Sequence, residues 1–270
     1  MSASRDTYTH GHHDSVLRSH SWRTVANSAA YLKAHLVGGL RLLDVGCGPA
    51  TLTADLAHHV APGEVVAIEP DPAIVAVAAD ALRAAGADNA KAEQGDVYAL
   101  SYDDASFDIV HAHQVLQHLS EPVAALREMR RVCRPGGVVA VRDADYGAIR
   151  FWPELPELVR WLALYQEVAR SNHAFPDAGR RLLAWAHEAG FVAPVPLASV
   201  WCFATPEDRS WWAGTWAERI VSSAIATQAC ERGLSTNAEL EWIAAGWRRW
   251  MDEPDAWFSL THAELLARVD

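Results

Sequence analysis

Positive charge is scarce in this chain. Across 270 residues, 23 Lys and Arg face 34 Asp and Glu, for a net charge of -11. A nucleic-acid partner or an anionic membrane surface is disfavoured by that balance. Cysteine is also sparse: Cys47, Cys133, Cys202 and Cys230 are scattered and form no C-x-x-C pair. Zinc-finger and redox-motif chemistry is unsupported, and a reducing cytoplasm fits. No apolar run approaches membrane-spanning length, and the N-terminus has no signal-peptide core. No repeat period is evident. A cytoplasmic protein with neither membrane nor nucleic acid as partner is expected.

What is abundant is apolar and aromatic. The hydrophobic fraction is 50%, enough for a large core in one domain or a domain plus a cap. Of the 12 Trp residues, 11 lie after residue 150, which suggests a scaffold followed by an aromatic-rich region. The N-terminal YTHGHH carries Tyr8, His10, His12 and His13. Short His tracts are more often solvated than metal-bound, so no metal is expected. From Asp14 or Ser15 to about His35, apolar residues recur at helical steps until Gly38-Gly39 stops the pattern.

The organising stretch is Leu40 to Leu56, LRLLDVGCGPATLTADL. It reads as a strand ending at Asp44, a tight turn through Gly46, Cys47, Gly48, Pro49 and Ala50, and a helix from Thr51. Glycine permits positive φ and close approach of a ligand to the main chain, and the helix start leaves N–H groups free. A dinucleotide fingerprint needs a third glycine where Thr51 stands, and no P-loop Lys follows. The stretch resembles motif I of the class I S-adenosylmethionine (SAM)-dependent methyltransferases, D/E-x-G-x-G-x-G. Asp44, Gly46 and Gly48 match; Ala50 departs at the last position.

Further motifs follow in order. A second strand, EVVAI, leads to Glu69, then Pro70, Asp71 and Pro72 turn into a helix. One βαβ step separates Asp44 from Glu69, so right-handed crossover puts both carboxylates at the carboxyl edge of a parallel sheet. There Glu69 can accept from both ribose hydroxyls. Gly95-Asp96-Val97 matches the family's adenine contact. The strand FDIV, 107–110, runs into HAHQVLQHL, with His113, Gln114 and His118 where the family borders the methyl group. An imidazole there can accept a proton from an attacking nucleophile, making His113 and His118 catalytic candidates. LREMRRVCRPGGVVAV resembles the family's helix–PGG–strand unit. The resemblance covers roughly residues 38–143 and is nearest to the ubiquinone and menaquinone methyltransferases.

That resemblance implies an α/β, Rossmann-like fold: a seven-stranded, mostly parallel sheet with helices on both faces and an added helical cap. Residues 1–37 are expected to form an N-terminal helical lid, with Tyr8 and His12 touching the cofactor. Residues 38–205 would be the SAM-binding core, with a helical insert near 152–174 and its last two strands at 191–195 and 199–204. Residues 206–270 would be a C-terminal helical cap extension. SAM is the expected cofactor, held by Asp44, Gly46, Cys47, Gly48, Glu69, Pro70, Asp96, Val97, His113 and Gln114. Asp145, Tyr146 and Trp152 are substrate candidates, and the cap aromatics serve either packing or an apolar acceptor. The expected reaction moves a methyl group to O, N or C of a small, partly hydrophobic molecule. Two alternatives stand beside it: SAM binding with cyclase or accessory activity, and a nicotinamide-dependent oxidoreductase. A homodimer is left open.

Overall fold

The computed structural model describes residues 6, 8, 9, 11, 20 and 22–270. The helix expected from Asp14 or Ser15 begins outside them, as do His10, His12 and His13. Within them a short helix α1 spans Val25–Ser28, followed by a 3₁₀ segment, Ala30–His35. Thr24 starts α1 with a capping box: its hydroxyl accepts from the Asn27 N–H, and the Asn27 side chain accepts from the Thr24 N–H.

The parallel sheet builds outward from β1, Leu42–Val45. Strand β2, Val65–Glu69, pairs with it on one side and β4, Phe107–His113, on the other. Strand β3, Ala90–Gln94, lies beyond β2, and β5, Cys133–Ala144, beyond β4. Helices α2 (Thr51–Val60), α3 (Pro72–Ala84) and α4 (Pro122–Val132) make the crossovers. Pro at the first turns of α3 and α4 suits a position that has no intrahelical N–H partner to lose. Beyond β5 come short β6, Arg150–Trp152, and helices α5 (Pro156–Ser171) and α6 (Leu182–Glu188). Helix α5 falls in the expected insert.

The far edge corrects the sequence reading. Residues 191–195 and 199–204 do not form a strand pair; Val195–Phe203 is one strand, β7. Its partner is β8, Trp257–Arg268, which lies antiparallel between β5 and β7 and also pairs with β6. Among the described residues the sheet therefore has eight strands, in the order β3-β2-β1-β4-β5-β8-β6 with β7 also paired to β8. Helices α7 (Pro206–Ser222), α8 (Ala224–Glu231) and α9 (Asn237–Asp252) sit in the chain between β7 and β8, so they are an insertion within the sheet rather than a terminal extension. AELLAR, near the end of β8, is built from good helix formers. Pairing on both edges overrides that local preference.

Three apolar clusters hold the layers. One face of the sheet, with Leu43, Val45, Val110, Ala112, Val139, Val141, Leu265 and Ala267, packs on α4 and α6. The opposite face is apolar at its amino end, where Leu42, Ile109, Val138 and Ala140 meet α2 and α3. Toward the carboxyl end the same alternation places Asp44, His111, His113, Arg142, His262 and Glu264 on that face, all buried. The cap has its own aromatic core, with Trp161, Trp216, Trp247 and Trp250 fully buried.

Candidate functional site

The polar end of that second face opens into a cleft lined by His20, Arg23, Asp44, Gly46, Cys47, Pro49, Thr51, Leu52 and His113. The loop from β1 to α2 shapes one wall. Gly46 and Gly48 both take positive φ, at 66° and 53°. A Cβ on Gly46 would strike the Val115 side chain at 2.6 Å, so packing as well as conformation demands glycine there. Ala50, at the position where the motif departs from glycine, adopts φ 59°. A left-handed alanine costs on the order of 1 kcal/mol, which the surrounding structure absorbs.

Asp44 lies at the cleft, but its carboxylate is already engaged: one oxygen accepts from Thr53 Oγ1 at 2.6 Å and the other is 2.8 Å from His111 Nδ1. It therefore braces β1, β4 and α2 at the ligand edge. Glu69 accepts from the Gly48 N–H at 3.1 Å, which ties the glycine loop to the end of β2. Burial pushes the Glu69 carboxyl up to about 7, against the pull of that N–H, with Asp71 and Asp44 adding to the rise. Cys47 donates its N–H to Ile68 O, and burial raises its thiol well above the usual range. Asp96 is exposed and accepts from the Tyr98 N–H at 2.9 Å, while Val97 is buried beside it. Pro70 is exposed, and its carbonyl accepts from Gln94.

His113 is buried, and neither ring nitrogen has a hydrogen-bond partner among the described residues. Burial, with Arg23 and Arg142 nearby, lowers its pKa well below the usual value. His118 is lowered to about 3 by burial and Arg23. It contacts Gln117 at 3.0 Å, and the Tyr8 ring packs edge-on at 4.8 Å. Burial thus favours the neutral form of both imidazoles. Gln114 has φ 55°, an unfavourable conformation for this residue type. Its backbone N–H donates to Arg142 O, and its side chain bridges Arg23 at 2.7 Å and His262 at 2.7 Å.

The substrate candidates part company. Tyr146 is buried and stacks on Tyr165 at 4.0 Å. Asp145 is buried too, but both oxygens are held by Arg180 at 2.7 Å. Trp152 is 62% exposed, pairs with Trp257 across β6 and β8, and lines neither of two clefts among the described residues. Sequence reading passed over Arg23, His20 and His262, which reach the site only through the folded N-terminal segment and the last strand. Among the described residues Arg23 has no carboxylate partner and its buried Nε no hydrogen bond; burial lowers its pKa to about 10. The described N-terminal residues strap core to cap: Asp6 accepts from Tyr98 and Ser120, and Thr9 bonds Asn172 and Gln228. Among the described residues no three His, Cys, Asp or Glu side chains cluster as a metal site, and no helix is long and apolar enough to cross a membrane.

Comparison with known proteins agrees with this architecture. Residues 36–192 match the family model described as a methyltransferase domain. An uncharacterized methyltransferase of Schizosaccharomyces pombe is 33% identical over 97% of this chain and 96% of its own. The demethylmenaquinone methyltransferase of Lactococcus lactis is 29% identical over 57% of this chain and 67% of its own. Among solved structures, the cyclase SpnF shares the fold with a TM-score of 0.52 and 23% identity, covering 98% of this chain and 88% of that one. The glycine loop, the carboxyl-edge cleft and these relatives agree: the chain belongs to the class I SAM-dependent methyltransferases, a family whose methyl donor is SAM.

Proposed function

We propose that this enzyme transfers the SAM methyl group to an O, N or C nucleophile of a small, partly apolar molecule in the cytoplasm. One observation carries the reading: the cleft brings together Arg23, a cation with no carboxylate partner among the described residues, a buried imidazole at His113, and the loop that Glu69 braces. These residues fit SAM, whose carboxylate, sulfonium and ribose diol need those three kinds of partner. Arg23 and the α2 N–H groups would receive the carboxylate. Glu69 would accept from the ribose hydroxyls with the oxygen Gly48 leaves open, and Asp96 and Val97 would flank the adenine.

When bound, SAM supplies a methyl group already activated by the sulfonium. The chain's part is to orient the acceptor and exclude water. His113 and Gln114 border the reacting region, and a neutral His113 adds no positive charge to repel a sulfonium. Tyr8 and His20 meet at 3.4 Å, and His20 would close one side of the cleft. Room in the closed cleft is small, about 20 Å³, because His20 and Arg23 line it. Tyr146 and the stacked Tyr165 would face the acceptor, and the cap would give its apolar wall. The four unpaired cysteines support a reducing setting.

Thermal unfolding with SAM, S-adenosylhomocysteine and NADH tests the binding step. A ligand at about 100 times its Kd adds roughly 2.7 kcal/mol, a rise of several degrees. Stabilisation by SAM and S-adenosylhomocysteine, with none from NADH, is expected. Stabilisation by NADH alone overturns the reading. S-adenosylhomocysteine release with a panel of phenols, amines and enols then separates transfer from mere cofactor binding.

A further inference from the structure

A second cleft, sharing no residue with the first, lies between the N-terminal segment and the far edge of the sheet. Its walls are Trp22, Ala26, Asn27 and Ala30 on one side and Ser199, Val200, Trp201, Cys202 and Glu264 on the other. Its volume, about 290 Å³, is near the lower end of small-molecule sites, roughly 300–1,000 Å³. The small side chains of Ala26 and Ala30 keep it open on the lid side.

Its chemistry is specific. Trp22 and Trp201 meet edge to face at 5.1 Å and give an aromatic corner. The indole N–H of Trp201 is spent on Asn27 O at 2.7 Å, so it offers a ligand ring surface and no donor. Glu264 is buried, and its Oε1 is saturated by Ser199 at 2.5 Å and Arg142 at 3.1 Å. Its other oxygen, Oε2, receives no hydrogen bond from the described residues. The cleft thus presents one carboxylate acceptor in an aromatic setting. Arg142, whose guanidinium lies 4.8 Å over the Trp201 ring, disfavours a cationic ligand, and the carboxylate disfavours an anion.

We propose that this cleft is a binding site, separate from the catalytic one, for a neutral planar aromatic molecule carrying one N–H or O–H donor. The ring packs in the Trp22–Trp201 corner and the donor bonds Glu264 Oε2. The position couples it to the catalytic cleft: Trp22 adjoins Arg23 in the chain, and Trp201 lies 4.3 Å from His262, which contacts Gln114. An occupant would hold the segment that carries Arg23.

The full-length protein, with indole as probe and toluene as the donor-less control, tests this. Two readouts serve: melting temperature, and the rate of Cys202 alkylation by a maleimide, resolved by peptide mass spectrometry. Cys202 is exposed and lines the cleft. Indole is expected to slow Cys202 alkylation several-fold in a saturable way and raise the melting temperature; toluene at equal concentration should do neither. Ala26→Leu, at an exposed position, fills the cleft and should abolish the indole effects while S-adenosylhomocysteine still stabilises the variant. Equal protection by toluene, no protection by indole, or full protection in Ala26→Leu would each overturn the site. The S-adenosylhomocysteine arm reads the catalytic cleft independently, so failure of one proposal is distinguishable from failure of the other.

Discussion

The two faces of the sheet are built from the same strands and do opposite work. On one, Val45, Ala112, Val141 and Leu265 keep the surface apolar out to the ligand edge, where α4 and α6 seal it. On the other, the alternate residues of the same strands turn from Leu42, Ile109 and Val138 into Asp44, His111, His113 and Arg142. The first face holds the fold; the second spends stability on buried polar groups at the carboxyl edge. Such groups are costly unless paired, and His113, with neither ring nitrogen hydrogen-bonded among the described residues, is the one the proposed function assigns to the cofactor cleft.

The largest effect that could break this contrast is at Arg142. Arg142→Ala leaves Glu264 buried beside Ser199 alone and should cost about 3–5 kcal/mol by denaturant unfolding. Replacing the pair together, Arg142→Met with Glu264→Leu, should restore most of it; no recovery would mean that the ion pair is a structural necessity. On the sealed face, Leu43→Ala should cost roughly 2–5 kcal/mol through transfer and cavity terms, while the remaining folded protein binds SAM as before. A parallel loss of affinity at saturating fold would erase the division of labour.

Smaller effects probe the polar face. Glu69→Ala should weaken SAM binding at least tenfold, since a charge-assisted hydrogen bond is worth roughly 1.5–3 kcal/mol. The Glu69 carboxyl, raised to about 7, gives opposite pH signs for two measurements. Its ionised form is disfavoured in the folded protein, so its contribution to stability falls as pH rises from the ordinary carboxylate range through about 7. The ionised form is the better acceptor for ribose hydroxyls, so SAM affinity should rise across the same window. Calorimetric titration at pH 6 and 8 checks this, and the slope should vanish in Glu69→Gln. His118, lowered to about 3, stays neutral from pH 5 to 8, and a kcat/KM profile should show no step that His118→Asn removes. Ala50→Gly is expected to change stability by less than about 1 kcal/mol, because relief of the left-handed backbone opposes loss of a buried methyl.

Legibility followed the range of the physical signal. The motif-I loop, Glu69 and the helix–PGG–strand unit are local patterns, and they led to the fold and the family. The last strand pair was not readable, because β8 carries helix-favouring residues and its partner β7 lies more than fifty residues earlier. His113 was legible as a position beside β4 but not as a neutral group, since its depressed pKa comes from burial and from arginines on the N-terminal segment and β5. The exposure of Trp152 was not legible, because an aromatic near a strand end reads the same whether it turns inward or out.

By itself the sequence determined the βαβ order, the glycine turn and the acidic strand ends, because each is a contact between near neighbours or a short crossover of forced handedness. Tertiary structure alone decided which carboxylates stay open and which are consumed. Asp44 goes to Thr53 and His111 and Asp145 to Arg180, whereas Glu264 gives one oxygen to Arg142 and Ser199 and keeps the other open. Most of those partners lie far away in the chain, and only burial makes the pairing obligatory.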